Sequence, residues 1–320
     1  MSENSSTVFR ERPLHEVKTE ITRRAGGHLN PLDGIRAEDA EHVKNALTSL
    51  DRDEWAREWS KFGFVYEAQA DALAKNGGDK NQCRELYELA FHNFRVGRYP
   101  CAGSPRQAQA YRDSVRVFRK AARYFDTPME IIEVPFGDTG DKKLTGYLQI
   151  PKGIEKPPVI MHWGGVDGWK EDRQRAHARF HRAGIAGFAI DMPGTGESPV
   201  KFTDADATKT FSVLIDYLLT RKDIDATRLG VWGGSYGGYW AAKLAFVEAQ
   251  RLKGAVFHGS NAHYGFQENW LRPALTEKAS AAIFGPLGAF SSAQQSHGCY
   301  VAGRIFTRGA GVVAQATGAA

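Results

Sequence analysis

A doubly wound α/β fold with a helical N-terminal unit is the fold class this sequence predicts, on three observations. Short, continuously apolar runs recur in the second half, at Val159 to Trp163, Ile185 to Ile190, Leu229 to Trp232 and Ala255 to Phe257, the pattern of strands buried on both faces of a parallel sheet. Amphipathic segments lie between them, notably Arg173 to Ala183 and Thr208 to Thr220, so strand and helix alternate. The first 125 residues instead repeat apolar positions at helical spacing.

Taken in order, the chain opens with mixed charge, Gly26-Gly27 and Asn30-Pro31, which read as an irregular arm leading into a short helix from Ala37 to Leu50. Trp55, Trp59 and Phe62 then recur at i, i+4 and i+7, one face of a helix. Leu86, Leu89, Ala90 and Phe94 repeat that face. After a break at Gly97, Pro100, Gly103 and Pro105, the set Tyr111, Val115, Phe118, Ala122 and Phe125 repeats it again. No self-similarity at a period of about 34 residues marks a tetratricopeptide array, so a cap on the following domain is the better reading. From Met129 the pattern changes. Ile131 to Phe136 and Leu144 to Ile150 flank Gly137-Asp138-Thr139-Gly140 and predict a hairpin. Beyond about Gly288 Gly and Ala dominate without apolar periodicity, so the last strands of the sheet are expected to be missing. The predicted organisation is an arm and helical cap over 1–128, an α/β core over 129–288, and a low-complexity, disordered segment over 289–320.

Composition narrows the function classes. A chain of 320 residues holds one large α/β domain and a smaller partner. Lys and Arg outnumber Asp and Glu by 42 to 37 without a run of five or six like charges, which argues against a nucleic-acid partner. The three cysteines, Cys83, Cys101 and Cys299, fit neither a zinc pattern nor a disulfide framework and suit a reducing compartment. The N-terminus is polar, and no apolar run reaches the roughly 20 residues of a membrane span. A cytoplasmic protein with no membrane partner is expected.

The chemistry centres on Gly233-Gly234-Ser235-Tyr236-Gly237. Leu229 to Trp232 is a predicted strand and Tyr239 to Glu248 a predicted helix, so Ser235 falls on the strand-turn-helix context of a nucleophile elbow. A second oxyanion donor is expected on the loop after an early strand, and His162-Trp163-Gly164-Gly165-Val166-Asp167-Gly168 stands there. The backbone N–H groups of Val166 and Tyr236 are the candidate pair. His162 reads as a packing or orienting residue. Asp191-Met-Pro193-Gly-Thr-Gly196-Glu-Ser198 could be taken for a dinucleotide loop, but Pro199 stands where a third glycine is needed, so no cofactor is expected. His177 and His181 share metal spacing at i, i+4 without an intervening glutamate base. A solvated helix face is the better reading, and no metal is expected. His258, His263 and Glu268 fall beyond a late strand, at the sheet edge where ligands bind, and are candidate substrate contacts.

In an elbow enzyme of this order the acid and then the histidine follow the serine. Here the last carboxylate is Glu277, and the sole histidine beyond it is His297. The reading is therefore of a hydrolase without its late acid and histidine, and whether it turns over substrate stays open.

Five segments carry a family resemblance: Ser49-Leu-Asp-Arg-Asp-Glu-Trp-Ala-Arg-Glu-Trp-Ser60, Trp163-Gly-Gly-Val-Asp-Gly-Trp169, Asp191-Met-Pro-Gly-Thr-Gly196, the Ser235 turn, and His258-Gly-Ser-Asn-Ala-His-Tyr-Gly-Phe-Gln-Glu268. From about residue 20 to 288 the chain resembles the α/β-hydrolases with a helical N-terminal cap. These include fermentation-respiration-switch-type esterases, 2,6-dihydroxypseudooxynicotine hydrolase and the fungal heptaketide hydrolases of pigment biosynthesis. The resemblance implies C–C bond cleavage of a β-diketone or polyketide; cap aromatics such as Trp55, Trp59 or Phe94 could enclose a flat substrate, but a place in the core is the better reading of them. The rivals are a carboxylesterase acting on small esters and a catalytically silent binding or regulatory homologue. A homodimer stays open.

Overall fold

The computed structural model describes residues 13–259 and the backbone of 300–303. Two compact units divide the described chain near Asp126.

The first unit is helical: α1 (Leu14–Gly26), α2 (Ala37–Ala46), α3 (Arg52–Lys75), α4 (Lys80–Arg98) and α5 (Pro105–Ala121). The three long helices begin at side chains that satisfy free helix N–H groups. Asp51 accepts from the Glu54 N–H, Asp79 from the Gln82 N–H, and Ser104 from the Gln107 N–H with Pro105 at the first helical position. α1 corrects the expected irregular arm. Leu14, Val17, Ile21 and Ala25 recur on one face, and Val17 and Ile21 are fully buried. Interleaved charges masked a short helical period that packing makes use of. Trp55 and Trp59 pack tilted, 5.6 Å apart, in a core with Val17, Ile21 and Leu32. The Trp55 indole donates to the Val96 carbonyl at 2.7 Å. Phe94 is equally buried, edge-on to Phe64 at 4.9 Å. All three aromatics are core, the reading preferred for them over a substrate enclosure.

The second unit holds the sheet. Its elements run β1 (Met129–Phe136), β2 (Lys142–Gln149), β3 (Pro158–Trp163), α6 (Gln174–Arg182), β4 (Ala186–Ile190), α7 (Lys209–Thr220), β5 (Asp225–Gly234), α8 (Tyr236–Val247) and β6 (Gly254–His258). The spatial order is β1-β2-β4-β3-β5-β6, followed by β7 (Tyr300–Gly303). β1 and β2 form the predicted hairpin, and β2 meets β4 antiparallel. β4, β3, β5 and β6 are mutually parallel, as continuous apolar runs require. Met161, Trp163, Phe188, Phe211, Leu214, Trp240 and Leu244 form the core between sheet and helices. The carboxyl ends of β3, β4 and β5 therefore rise side by side.

β7 corrects the sequence reading at one point, because four residues of the segment expected to be unstructured are strand, antiparallel to β6. A sheet edge offers unpaired N–H and C=O groups, and Tyr300-Val301 is a β-favouring pair within an Ala- and Gly-rich stretch. The remainder of 289–320 lies outside the described residues. Among the described residues no helix is long and apolar enough to cross a membrane.

Candidate active site

β5 turns directly into α8 at Ser235, whose backbone sits at φ 55° and ψ −131°. Residues other than glycine avoid this region because Cβ crowds the backbone. The surroundings hold it there. The Ser235 N–H donates to the His258 carbonyl at the end of β6, 2.8 Å away, and the Ser235 carbonyl accepts from the Gly238 N–H at 2.8 Å in the first turn of α8. Ser235 is half-buried at the carboxyl edge of the sheet, and the start of α8 directs its free N–H groups to the same place.

The loop after β3 packs against this turn. The Trp163 indole donates to the Gly237 carbonyl at 2.8 Å. A Cβ on Gly237 would lie 2.1 Å from the Gly164 carbonyl oxygen, and one on Gly165 would lie 3.2 Å from Ser235 Oγ. Only glycine permits both approaches. Val166 follows, half exposed at 49%, and its carbonyl accepts from the Trp169 indole at 3.0 Å, which closes the loop on itself. Sequence reasoning named Val166 and overlooked Gly165, the residue that meets the serine side chain. Tyr236 is half-buried, stacked on Tyr239 at 5.9 Å and edge-on to Phe202 at 6.4 Å. Burial raises its phenol pKa. His258 is exposed at the end of β6, next to this turn. His263 and Glu268 lie outside the described residues.

Two buried polar clusters lie beside β3 and β4. In the first, the Lys170 ammonium is fully enclosed and meets three carboxylates: Glu171 at 2.8 Å, Asp191 at 2.7 Å and Glu197 at 2.8 Å. Tyr147 donates to Glu171 at 2.9 Å. Burial pushes the Glu171 carboxyl up. Nothing in Lys170-Glu-Asp-Arg173 signals burial, since a charge run reads as a solvated face.

In the second cluster His162 and His177 are buried with their Nε2 atoms 3.2 Å apart. His162 lies edge-on to Phe180 and parallel to Trp232, while the Arg173 guanidinium covers Trp232. His162 is thus a packing residue, as expected. His177 is not on a solvated face: Ala176 and Phe180 beside it turn that side of α6 toward β4. Burial holds the His177 imidazole down from 6.5 to about 3, and drives His162 well below its ordinary value. The unfolded chain therefore takes up the proton first as pH falls. Stability from His177 is complete above about pH 6.5 and drains away toward about pH 3. His177→Gln keeps a polar partner for His162 and removes one titrating ring. Its urea midpoint is expected to fall less steeply than the wild type's across that window, and parallel slopes would show that the ring is hydrated in the folded state.

Residues 34–278 match the family model of the FrsA-like esterases. The chain belongs to the FrsA-like esterase family. It is similar to the esterase FrsA of Pectobacterium atrosepticum, 28% identical over 213 residues, covering 66% of this chain and 50% of that protein. The esterase FrsA of Yersinia pestis is 25% identical over 240 residues, covering 73% of this chain and 56% of its own length. The chain therefore spans about half the length of these FrsA esterases. Among solved structures, 2,6-dihydroxy-pseudo-oxynicotine hydrolase superposes with a TM-score of 0.63 at 25% identity, covering 73% of this chain and 64% of its own. AbyA5 superposes with a TM-score of 0.60 at 22% identity, over 87% and 74% of the two chains, a likeness of fold. The α/β-hydrolase fold of this FrsA-like chain is the one the resemblance implies, and its doubly wound sheet the one strand and helix alternation predicts.

Proposed function

We propose that this chain is a serine-dependent hydrolase in which Ser235 Oγ attacks a carbonyl carbon. The backbone N–H groups of Tyr236 and Val166 hold the oxygen as it gains charge. The observation that carries this reading is the φ of 55° at Ser235, held at a strand-to-helix turn with Gly165 against its side chain. A strained serine placed where two loops and a helix N-terminus converge suits covalent catalysis. In this reading His258, with His263 and Glu268, belongs to the substrate pocket, the helical unit is a cap, and the enzyme acts on a small molecule in the cytoplasm.

The substrate we propose is a β-diketone of polyketide type. Ser235 Oγ would lose its proton to a base and bond to one carbonyl carbon. The C–C bond would then break with its electron pair leaving as an enolate, which takes a proton, and water would release the acyl group as an acid. The second carbonyl is what makes carbon a competent leaving group. The resemblance to C–C bond hydrolases of pigment biosynthesis supports this choice. Membership of an esterase family favours a second reading, in which the same serine acts on small esters with an alkoxide as the leaving group.

Parallel assays of the purified chain on a short-chain aryl ester and a synthetic β-diketone separate the two readings, with a fluorophosphonate probe reporting the serine. Turnover of the diketone above the ester is expected. Ester turnover alone would assign a carboxylesterase, and a folded protein that neither labels nor turns over either compound would be a silent binding or regulatory homologue.

A further inference from the structure

We propose that Lys170 and Trp169 are positioning residues that set the loop after β3 against Ser235, with Asp191 and Glu197 as their anchor on the loop after β4. The inference rests on the reading of Ser235 as nucleophile and of Val166 N–H as an oxyanion donor.

The path is continuous. Asp191 is the first residue after β4, and its carboxylate accepts from the Lys170 N–H at 2.9 Å, from Lys170 Nζ at 2.7 Å and from the Glu197 N–H at 2.9 Å. One side chain thereby ties its own loop to the end of the loop after β3. Lys170 Nζ has three hydrogens and three carboxylate partners, so the ammonium is matched donor for acceptor and its rotamer is set. Its buried side chain also lies over the Tyr147 ring, 5.3 Å from the centroid. Trp169 precedes it in the chain. The Trp169 N–H donates to Asp172 at 2.7 Å, and its indole reaches back to the Val166 carbonyl at 3.0 Å. From there the chain runs one residue to Gly165, against the serine.

A buried lysine among three acids is a costly way to brace a fold, because the ammonium, Glu171 and Asp191 must be stripped of water. Its return is directional: the carbonyl of Val166 is held from one side and Gly165 meets Ser235 on the other. The N–H of Val166, which shares that short stretch, is set with them. A displacement of about 1 Å in such a donor costs up to about 100-fold in rate.

The experiment uses the full chain with two mild variants. Trp169→Phe keeps the ring and removes the indole donor, and Glu197→Gln removes one charge at the part-exposed rim of the cluster. Both are expected to melt close to the wild type, to lower kcat on an aryl ester about 10-fold or more with KM nearly unchanged, and to speed amide exchange at Gly164 to Gly168. Unchanged exchange and kcat in both would overturn the proposal, as would a loss of kcat that merely tracks a lowered melt. If the wild type has no turnover sensitive to Ser235→Ala, the catalytic reading fails. Amide exchange then decides the loop-setting role alone: faster exchange in both variants sustains it, and unaltered exchange ends it.

Discussion

Ser235→Ala is expected to abolish fluorophosphonate labelling and whatever turnover depends on the serine, while Ser235→Gly, equally inactive, melts above the wild type. The first effect follows from covalent catalysis, in which loss of the nucleophile leaves only binding and oxyanion contacts. The second follows from the backbone. A side chain held at φ 55° costs about 1–3 kcal/mol, whereas the extra freedom of glycine in the unfolded chain costs about 0.5–1 kcal/mol. The balance favours glycine by about 1 kcal/mol, a rise of roughly 2–4 °C in Tm for a chain of this order of size. Alanine keeps the Cβ and gains nothing. Labelling that persists in Ser235→Ala would assign the reactive group elsewhere, and a glycine variant that melts no higher would mean that the turn carries no strain.

Gly237→Ala is expected to be the most disruptive single-methyl change near the site. In an open helix this substitution stabilises by up to about 1 kcal/mol. Here the added carbon would stand 2.1 Å from the Gly164 carbonyl oxygen and 2.6 Å from the Trp163 ring. A backbone carbonyl cannot rotate aside as a side-chain tip can, so overpacking of about 3 kcal/mol overrides the propensity. The clash also pushes the loop after β3 away from the serine turn, and labelling should slow about 100-fold. Urea denaturation and probe kinetics measure the two effects separately. A variant as stable and reactive as the wild type would show that this close approach is looser than the geometry states.

The sheet was legible because its parallel strands are apolar runs with no competing period, and the hairpin because Gly137-Asp-Thr-Gly140 supplies turn residues between two β-prone runs. The strand-turn-helix setting of Ser235 was legible from glycine spacing. α1 was not, since Glu16, Lys18, Glu20, Arg23 and Arg24 dilute four apolar positions whose burial depends on α2 and α3. His177 was misread and Lys170 drew no reading for a shared reason: a polar side chain is buried by virtue of its partners, and those partners lie largely on other strands and loops. Gly165 was passed over for Val166 because spacing ranks residues along a loop without showing which of them faces across it.

The serine turn also has a place in the order of folding. β1 and β2 pair across a short turn, a local event. β3 and β5 pair only after the whole segment from Pro158 to Gly234 has been brought round, a long loop closure. The contacts of Gly237 with the loop after β3 can form only when that closure is complete. Interactions made after the folding barrier govern how long the native state lasts, and scarcely alter how quickly it is reached. The packing that shapes this site would therefore act as a late latch, setting the lifetime of the folded sheet.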